Sequence, residues 1–480
     1  ILRADSRGEK ATAGEERGVE GIHEGGHGRA GDGGVEMKKE EYLQLVTDQI
    51  RCKKARPDVK TELENHILDQ MESYRNEGME EQEAMEQAIL EMGDPIEVGV
   101  ELDRIHRPKM SWGILLLVGI LGGMSVLLQF TLWRGGNAMA QPERQLMFHI
   151  AGFLVMLGVY FLDYSILGKY ARRIGILFCT VMILVVSLGH LANTGGTFIM
   201  LGCLAISVPL VMYLYVPVFG AILYSYRNAG YEVLWKSALW LTIPVWVDLR
   251  CSLVHTFCLL LICLLMFSIA VWKQWYQIAR KEVLISMWVC LWILIVGGVT
   301  VAAGGWVQPY MIERIRAFLQ RSNSYTQDMM QNIFEQSRWI GKSASGMEFL
   351  ENSLPGFNSE LILTSVMACF GILPGILTVL LYLVMIWKIF GVSKKQQNQL
   401  GTMIGYGCGL VFASQVAYSV FTYLRVLRIS SVILPFLSVT GGGTMVAYLL
   451  MGMVLSIYRY KNIPLHPEKS RLPRIRIIIE

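Results

Sequence analysis

Long apolar runs recur along this chain from Ser111 onward, and each is about as long as a membrane-crossing helix. Such a helix needs about 20 predominantly apolar residues to cross ~30 Å of hydrocarbon, and it satisfies its own backbone hydrogen bonds there. The composition agrees, because 53% of the 480 residues are hydrophobic and only 17% are charged. We therefore predict an all-α, polytopic membrane protein with about ten transmembrane helices. The predicted spans are 112–133, 146–167, 174–193, 197–225, 234–248, 251–272, 283–304, 361–388, 400–424 and 432–457.

Two of these runs contain residues that disfavour a straight helix. The run 197–225 holds Pro209 and Pro217, which predicts a kinked or partly re-entrant segment. The run 432–457 holds the glycine cluster 441–443, which either breaks the helix or lets two backbones approach closely.

Basic residues are distributed unevenly between alternate loops, and cytoplasmic loops are the ones that carry an excess of Lys and Arg. Counted from an N-terminus inside, the inner loops and the tail hold Lys169, Arg172, Arg173, Arg227, Lys236, Lys273, Arg280, Lys281, Lys388, Lys394, Lys395, Arg459, Lys461, Lys469, Arg471, Arg474 and Arg476. The short outer loops hold Arg134, Arg144, Arg250, Arg425 and Arg428. We predict that both termini are cytoplasmic. The net charge of +4 follows from this topology, and a nucleic-acid partner is not indicated.

The connection 305–359 differs from the other loops because it is long and mostly polar. With ten spans it lies on the extracytoplasmic side, between the seventh and eighth helices. It contains Asp328 and the pair Gln336-Ser337. Loops on a rigid helical scaffold commonly carry binding and catalytic residues, so this loop is the first place to look for a site.

The two ends of the chain are polar. Residues 1–36 are rich in Gly, Glu and Arg without apolar periodicity, which predicts disorder, and we interpret them as an untranslated leader. Residues 37–108 predict a small cytoplasmic helical domain, in which one helix begins near Pro57 and ends at Gly78. Residues 461–480 form a basic cytoplasmic tail after the membrane domain, which we place at 109–460.

The nine cysteines form no CxxC pair and have no His/Cys spacing typical of a metal site. Eight of them lie in or beside predicted spans, where a cysteine packs as a small apolar residue. No metal-binding residues are predicted from them.

The N-terminal helical segment contains the pattern ELENHILDQMESYRNEGMEEQEAMEQAILEMGDPIEV, beginning at Glu62. This pattern resembles the permease prefix domain that precedes bacterial membrane proteins, over about seventy residues. The resemblance implies a cytoplasmic interaction or sensing module. The acidic surface of this segment has two explanations, a docking site for a partner or simple exposure of charged side chains to water.

The last third of the chain carries motifs as well as bulk hydrophobicity. From Arg314 it reads RIRAFLQRSNSYTQDMMQNIFEQSRWIGKSASG, and near the end LPFLS from Leu434 is followed by a glycine cluster. These motifs, with ten spans and a large outer loop after the seventh, resemble the SEDS family of FtsW, RodA and SpoVE proteins. Members of that family are polytopic glycosyltransferases that polymerise peptidoglycan from lipid II.

The match can be followed residue by residue in the large loop. Gln336-Ser337 fit the end of a family motif that contains the catalytic aspartate. Asp328 lies two residues after the position that this match gives for the aspartate, near Thr326. The Asp-Pro and Gly-x-Gly-Tyr of the family motif are absent.

A second match precedes the eighth span, where the family has Leu-Pro-Glu-x-His-Thr-Asp-Phe. This chain reads LPGFNSEL, so Asn358 stands at the family's His, Ser359 at its Thr and Glu360 at its Asp. In the ninth span Gln415 matches, but the Asn expected four residues later is Ser419.

The resemblance implies a peptidoglycan glycosyltransferase that acts at the outer face of the bacterial cytoplasmic membrane during division, elongation or sporulation. It implies lipid II as substrate, a single-span class B penicillin-binding transpeptidase as partner, and no nucleic acid. Asp328 takes the catalytic role. The residues assigned to substrate binding are Arg314, Arg316, Gln336, Ser337, Lys342, Ser359, Glu360, Gln415 and Ser438.

Sugar transfer from a polyprenyl diphosphate needs a base on the accepting hydroxyl and positive charge on the leaving diphosphate. Asp328 is the best-placed base, and its rivals are Glu335, Glu348, Glu351 and Glu360. The cations that could meet the diphosphate are Arg314, Arg316, Arg321, Arg338 and Lys342. No cofactor is indicated apart from a divalent cation, which would also place positive charge on the leaving diphosphate.

Ionisable residues at membrane depth are costly and therefore point to function. The residues that qualify by position are His149, Asp163, His190, Asp248, Arg250 and His255. Packing histidines, or side chains that reach the interface, are the alternative explanation for them.

Two other functions fit the same composition. A non-catalytic relative would bind lipid II or scaffold a division or shape complex, and the altered polar motifs favour it. A flippase or transporter is the other, but the chain shows no inverted repeat and no matched pair of broken helices.

Overall fold

The computed structural model describes residues 38–135, 140–191, 198–201, 204–303, 325–343, 357–424 and 433–461. Helices account for most of these residues, which confirms the predicted all-α membrane fold. The helices are α1 (Lys39–Gln49), α2 (Arg56–Asn76), α3 (Glu81–Glu91), α4 (Pro95–His106), α5 (Trp112–Arg134), α6 (Pro142–Phe161), α7 (Ser165–Leu191), α8 (Val208–Met212), α9 (Tyr215–Ser225), α10 (Glu232–Cys251), α11 (Leu253–Trp272), α12 (Arg280–Ala303), α13 (Tyr325–Gln336), α14 (Ile362–Phe370), α15 (Ile372–Lys394), α16 (Gln399–Tyr423) and α17 (Gly441–Arg459).

The first four helices follow local sequence signals. In α2 the side chains of Val59, Leu63 and Ile67 recur every four residues, and all three are buried in one small core. Asp94 caps the start of α4, and its carboxylate accepts a hydrogen bond of 3.1 Å from the backbone N–H of Glu97. That bond satisfies one of the N–H groups that a helix start leaves without a partner.

The membrane part contains ten long helical segments. Eight of the described segments are long and apolar enough to cross a membrane. These are α5, α6, most of α7, the consecutive pair α8 and α9, α11, α15, α16 and α17. The helices α10 and α12 lie in two further runs predicted as spans, so eight of the ten predicted spans contain a segment that is long and apolar enough to cross a membrane.

The apolar run 197–225 is not a single helix, so the predicted boundaries of this span were wrong. Strands β1 (Phe198–Leu201) and β2 (Leu204–Ser207) pair as an antiparallel hairpin before α8 begins. Pro209 lies in the first turn of α8, where its missing N–H costs no hydrogen bond. The break between α8 and α9 agrees with the predicted kink.

Two further runs begin or break at glycine. The run 361–388 is interrupted at Gly371, which separates α14 from α15. The run 432–457 becomes helical only at Gly441, because the preceding described residues form turns. The glycine cluster therefore starts a helix and does not interrupt one.

The helix α17 lies at the centre of the bundle and packs against α6, α8 and α16. A methyl group added at Gly152 of α6 would lie 2.2 Å from Cδ2 of Tyr448 in α17. One added at Gly452 of α17 would lie 2.8 Å from the carbonyl oxygen of Met156. Small residues thus allow α6 and α17 to approach closely, as is common between membrane helices.

The two ends of α17 mark the two ends of the bundle. Tyr460, just after the helix, packs against the core of the first four helices. The helix has 19 residues, so its first residue, Gly441, lies about 28 Å away. We call the end that contains Gly441 the distal end.

Candidate functional site

The distal end contains a broken helix whose two free ends are capped by a separate segment. Residues 338–343 run across the break between α14 and α15. The N–H groups of Gly341 and Ser343 donate to the carbonyls of Phe370 and Ala368, at 2.8 Å each. The carbonyls of Arg338 and Trp339, in turn, accept from the first two N–H groups of α15, at 3.0 and 3.1 Å. The segment satisfies backbone groups that both helix ends would otherwise leave without partners.

Gly371 is the residue that makes this break possible. Its φ is +105°, a backbone conformation that side-chain-bearing residues rarely adopt. A methyl group there would lie 2.7 Å from the carbonyl oxygen of Trp339 and 2.8 Å from Cα of Ile340. Both the turn and the close approach of residues 338–343 therefore require glycine.

The helix α13 carries the predicted catalytic acid beside this break. Met330 and Ile333 are buried, and α13 packs on α14 through that face. Asp328 lies in the first turn, partly exposed, where the helix N-terminus favours a carboxylate. Phe334 meets the ring of Tyr423 edge to face at 6.0 Å, which joins α13 to the distal end of α16.

Two turns at the distal end interlock through hydrogen bonds. The hydroxyl of Ser438 donates to the carbonyl of Ser359 at 2.6 Å, and it accepts from the N–H of Leu434 at 3.0 Å. The N–H of Val439 donates to the carbonyl of Asn358 at 2.9 Å. The turn 357–361 therefore cannot shift without the residues that precede α17.

A network of buried, hydrogen-bonded polar side chains connects these turns with the interior of the bundle. Gln129 of α5 donates to Oδ1 of Asn358 at 3.2 Å, and Ser125 donates to the carbonyl of Leu437 at 2.8 Å. Gln145 of α6 donates to the hydroxyl of Ser125 at 2.7 Å.

The hydrogen-bond network continues from α6 to α17. His149 lies one turn after Gln145, and their Nε2 atoms are 3.1 Å apart. The other ring nitrogen of His149 is 3.1 Å from the hydroxyl of Tyr448. His149, whose position in the sequence places it at membrane depth, thus belongs to a network of packed, hydrogen-bonded side chains.

A second cluster of buried polar side chains lies where α8, α10 and α11 meet. Within the described part of the chain, neither carboxylate oxygen of Asp248 has a hydrogen-bond partner, and neither do the Tyr213 hydroxyl and Nε2 of His255. The rings of Tyr213 and His255 are 5.8 Å apart, and Tyr213 is close enough to Asp248 to interact electrostatically. Buried polar atoms normally have a partner, so these groups are suited to a polar ligand or to water.

The structure brings only some of the predicted site residues together. Ser359 and Ser438 are in contact, and Glu360 follows in the same turn. Gln415 is buried in α16. Arg314 and Arg316 lie outside the described residues, as do the candidate cation Arg321 and the rival acids Glu348 and Glu351, and His190 lies in the last turn of α7.

The remaining predicted residues lie around α13. Gln336 is exposed at the end of the helix, and the Ser337 hydroxyl donates to the carbonyl of Ile333 at 2.6 Å. Lys342 is exposed in the segment that caps the helix break. The rival Glu335 is exposed and accepts from Gln331 at 2.6 Å. The assignment of these residues to catalysis and substrate binding stays a prediction.

Metal-type ligands do not cluster in the part of the chain that the structure describes, where no group of three or more His, Cys, Asp or Glu residues could hold an ion. No residues can therefore be assigned to the predicted divalent cation, which stays a prediction.

Sequence reasoning missed Ser125, Gln129 and Gln145. Their signal is present in the sequence, because Ser125 and Gln129 are spaced four residues apart in an otherwise apolar helix. Gln145 and His149 repeat that spacing in the next helix. Polar pairs at this spacing share one helix face, and a shared polar face inside a membrane helix indicates a buried partner.

These features define a multi-pass helical membrane protein whose distal end is built from one broken helix and two interlocked turns. Comparisons with known proteins agree on its relatives. A chain of a peptidoglycan synthase complex, solved to describe the structural coordination of polymerization and crosslinking, superimposes with a TM-score of 0.58 at 18% identity. That match covers 73% of this chain and 98% of the other. The rod shape determining protein RodA of Thermus thermophilus matches with a TM-score of 0.52 at 13% identity, over 73% of this chain and 97% of its own.

Sequence relatives give the same result. The probable peptidoglycan glycosyltransferase FtsW of Alcanivorax borkumensis is 23% identical over 366 residues, which is 73% of this chain and 92% of that protein. The FtsW of a Thioalkalivibrio species is 25% identical over 35% of this chain and 43% of its own length. The cell cycle protein family of FtsW, RodA and SpoVE matches residues 108–463. The chain belongs to this family and is a multi-pass bacterial membrane protein.

Proposed function

We propose that this protein is a peptidoglycan glycosyltransferase that polymerises lipid II, a polyprenyl-diphosphate-linked disaccharide. The family match along 108–463 carries the proposal. The relatives named above as probable peptidoglycan glycosyltransferases support it. The interlocked turns add a geometric reason, because they hold Ser359 and Glu360 in a defined place at the start of α14.

In this proposal each polar residue of the distal end has a chemical task. Asp328 accepts the proton of the attacking sugar hydroxyl, and it lies partly exposed in the first turn of α13. Lys342 meets the leaving diphosphate, together with Arg314 and Arg316. Gln336, Ser337, Ser359, Glu360, Gln415 and Ser438 shape the surface that receives the sugars.

The distal end faces the cell exterior in this proposal, and both termini are cytoplasmic. The distribution of Lys and Arg between alternate loops supports this orientation. The partner is a single-span class B penicillin-binding transpeptidase, which crosslinks the glycan that this protein makes. The solved relative that belongs to a peptidoglycan synthase complex supports such a partner.

Purified protein in lipid nanodiscs, supplied with fluorescent lipid II, tests the proposal. We expect glycan polymer from the wild-type protein with its transpeptidase, and a loss of at least about 100-fold in Asp328→Ala. Glu335→Ala is the matched control, because Glu335 is an exposed carboxylate on the same helix. Full activity of Asp328→Ala would remove Asp328 as the base. Addition of a chelator to the same assay tests the divalent cation.

A non-catalytic lipid II-binding role is the second candidate. The observation that favours it is the set of altered motif positions, where Asn358 stands at the family's His and the Asp-Pro of the family's loop motif is absent. Lipid II binding by the wild-type protein without polymer, with and without the transpeptidase, would select this candidate.

A further inference from the structure

The contact between Gln129 and Asn358 joins the last third of the membrane helix α5 to a turn of the proposed active site. The side chain of Gln129 is fully buried, and its Nε2 donates to Oδ1 of Asn358 at 3.2 Å. The two residues are 229 positions apart in sequence. Asn358 immediately precedes Ser359 and Glu360, the residues of this turn that the proposed function assigns to the substrate.

One face of α5 holds both interlocked turns. Ser125 and Gln129 are four residues apart, so they lie on the same side of the helix. Ser125 bonds the carbonyl of Leu437 in one turn, and Gln129 bonds the side chain of Asn358 in the other. The spacing along α5 thereby sets the distance between the two turns.

A glutamine at this place is costly for the fold. The Gln129 carbonyl oxygen, Oε1, has no hydrogen-bond partner among the described residues, although it is buried. Methionine would fill nearly the same volume without burying an unpartnered oxygen of its own, so packing does not explain an amide here. What glutamine supplies and methionine does not is a directed hydrogen bond to Asn358.

We propose that Gln129 is a positioning residue for the sugar transfer. Through Asn358 it fixes the turn 357–361, and therefore the direction in which Ser359 and Glu360 meet the lipid-linked sugar. This inference rests on the proposed function. It concerns a residue of α5 that does not itself touch the substrate.

A double-mutant cycle on polymerisation tests it, with Gln129→Met, Asn358→Leu and the combination. Displacement of a substrate-positioning group by ~1 Å costs about 100-fold in rate, so we expect each single variant to lose at least about tenfold in kcat. Because the residues act through each other, the double variant should be no slower than the slower single variant. Multiplicative losses, or wild-type turnover by Gln129→Met, would overturn the inference.

Hydrogen exchange of the same proteins supplies a readout that does not depend on turnover. The N–H of Val439 is held by the carbonyl of Asn358, so its exchange reports whether the turn stays in place. Gln129→Met should speed exchange in peptides that cover 357–361 and 433–440. Gln396→Met is the control, because Gln396 is also buried and hydrogen-bonded but contacts Tyr164 at the other end of the bundle.

The outcomes separate the two proposals. Unchanged exchange in Gln129→Met, or an equal change in Gln396→Met, overturns the positioning role, whatever the activity. Absence of polymer from the wild-type protein overturns the proposed function, and with it any role of Gln129 in sugar transfer. Polymer from the wild type together with full turnover by Gln129→Met overturns the inference alone.

Discussion

The ammonium group of Lys54 lies 2.5 Å from the carboxylate of Asp163 and joins the first four helices to the membrane bundle. Lys54 lies in the turn between α1 and α2, and Asp163 lies in the turn between α6 and α7. The same ammonium is 3.3 Å from the hydroxyl of Ser165 and 4.9 Å from the ring centre of Tyr460, at the end of α17. Both charged side chains are less than a third exposed, so water screens this pair less than a surface ion pair.

Lys54→Met should loosen the first four helices from the bundle. The variant keeps the apolar stem but removes the charge, and we expect the contact to weaken by about 1 kcal/mol. The weakened contact should be seen as faster protease cleavage between α4 and α5 in protein held in nanodiscs. Lys53→Met is the matched control, because Lys53 is the exposed neighbour. Equal cleavage rates for the two variants would show that the ion pair does not hold the contact.

The same contact should weaken in acid. Burial of the Asp163 carboxylate opposes its ionisation, but hydrogen bonds from Lys54 and Ser165 outweigh burial, so the pKa of Asp163 lies below its ordinary value of 3.8. A lowered pKa in the folded state stabilises the contact above the unfolded-state pKa. That stability is lost as the pH falls below 3.8 and through the lower folded-state value.

Cleavage or exchange measured between pH 7 and pH 3 checks this expectation. The wild-type contact should be constant through the neutral range and weaken only at the acid end. In Asp163→Asn the contact should already be weak at neutral pH. It should not weaken further in acid through residue 163, because the variant has no carboxylate there. A transition near neutral pH would have to come from another group.

Gly371→Ala should destabilise the distal end. Its positive φ and the 2.7 Å approach to the carbonyl of Trp339 leave no room for a methyl group. Strain of this kind costs about 1–3 kcal/mol, and the clash adds to it. Gly391→Ala is the control, because that glycine lies in the same helix α15 with nothing within 4 Å of an added methyl group. Thermal unfolding should show a loss for the first variant and no loss for the second.

Ser438→Ala should release the interlocked turns. The buried hydroxyl makes two bonds, and its removal strands the N–H of Leu434, which costs about 1–3 kcal/mol. We expect lower thermal stability together with lower polymerisation, because Ser359 loses its anchor. Ser414→Ala is a suitable control, since the Ser414 hydroxyl donates to a carbonyl of its own helix, that of Val411, within the described part of the chain. Similar losses in both variants would argue against a special role for the turns.

The residues of the site differ in how far local sequence could predict them. The start of α15 could not be predicted from the run 361–388, because its apolar composition continues on both sides of Gly371. The reason for the break is the segment 338–343, whose backbone supplies the missing hydrogen bonds from another part of the chain. The motif residues Ser359 and Ser438 were found by family resemblance, but their contact was not.

The order and approximate position of most membrane helices follow from sequence alone, because insertion into hydrocarbon depends on the summed polarity of about 20 neighbouring residues. The same holds for the long polar loop and for the N-terminal helices, whose signals are local. Which polar groups meet inside the bundle depends on pairs far apart in sequence, such as Gln129 with Asn358 and Lys54 with Asp163. These pairs form when the turn 357–361 packs on α5 and the first four helices pack on the membrane bundle, because only then does each buried polar atom need a partner from another part of the chain.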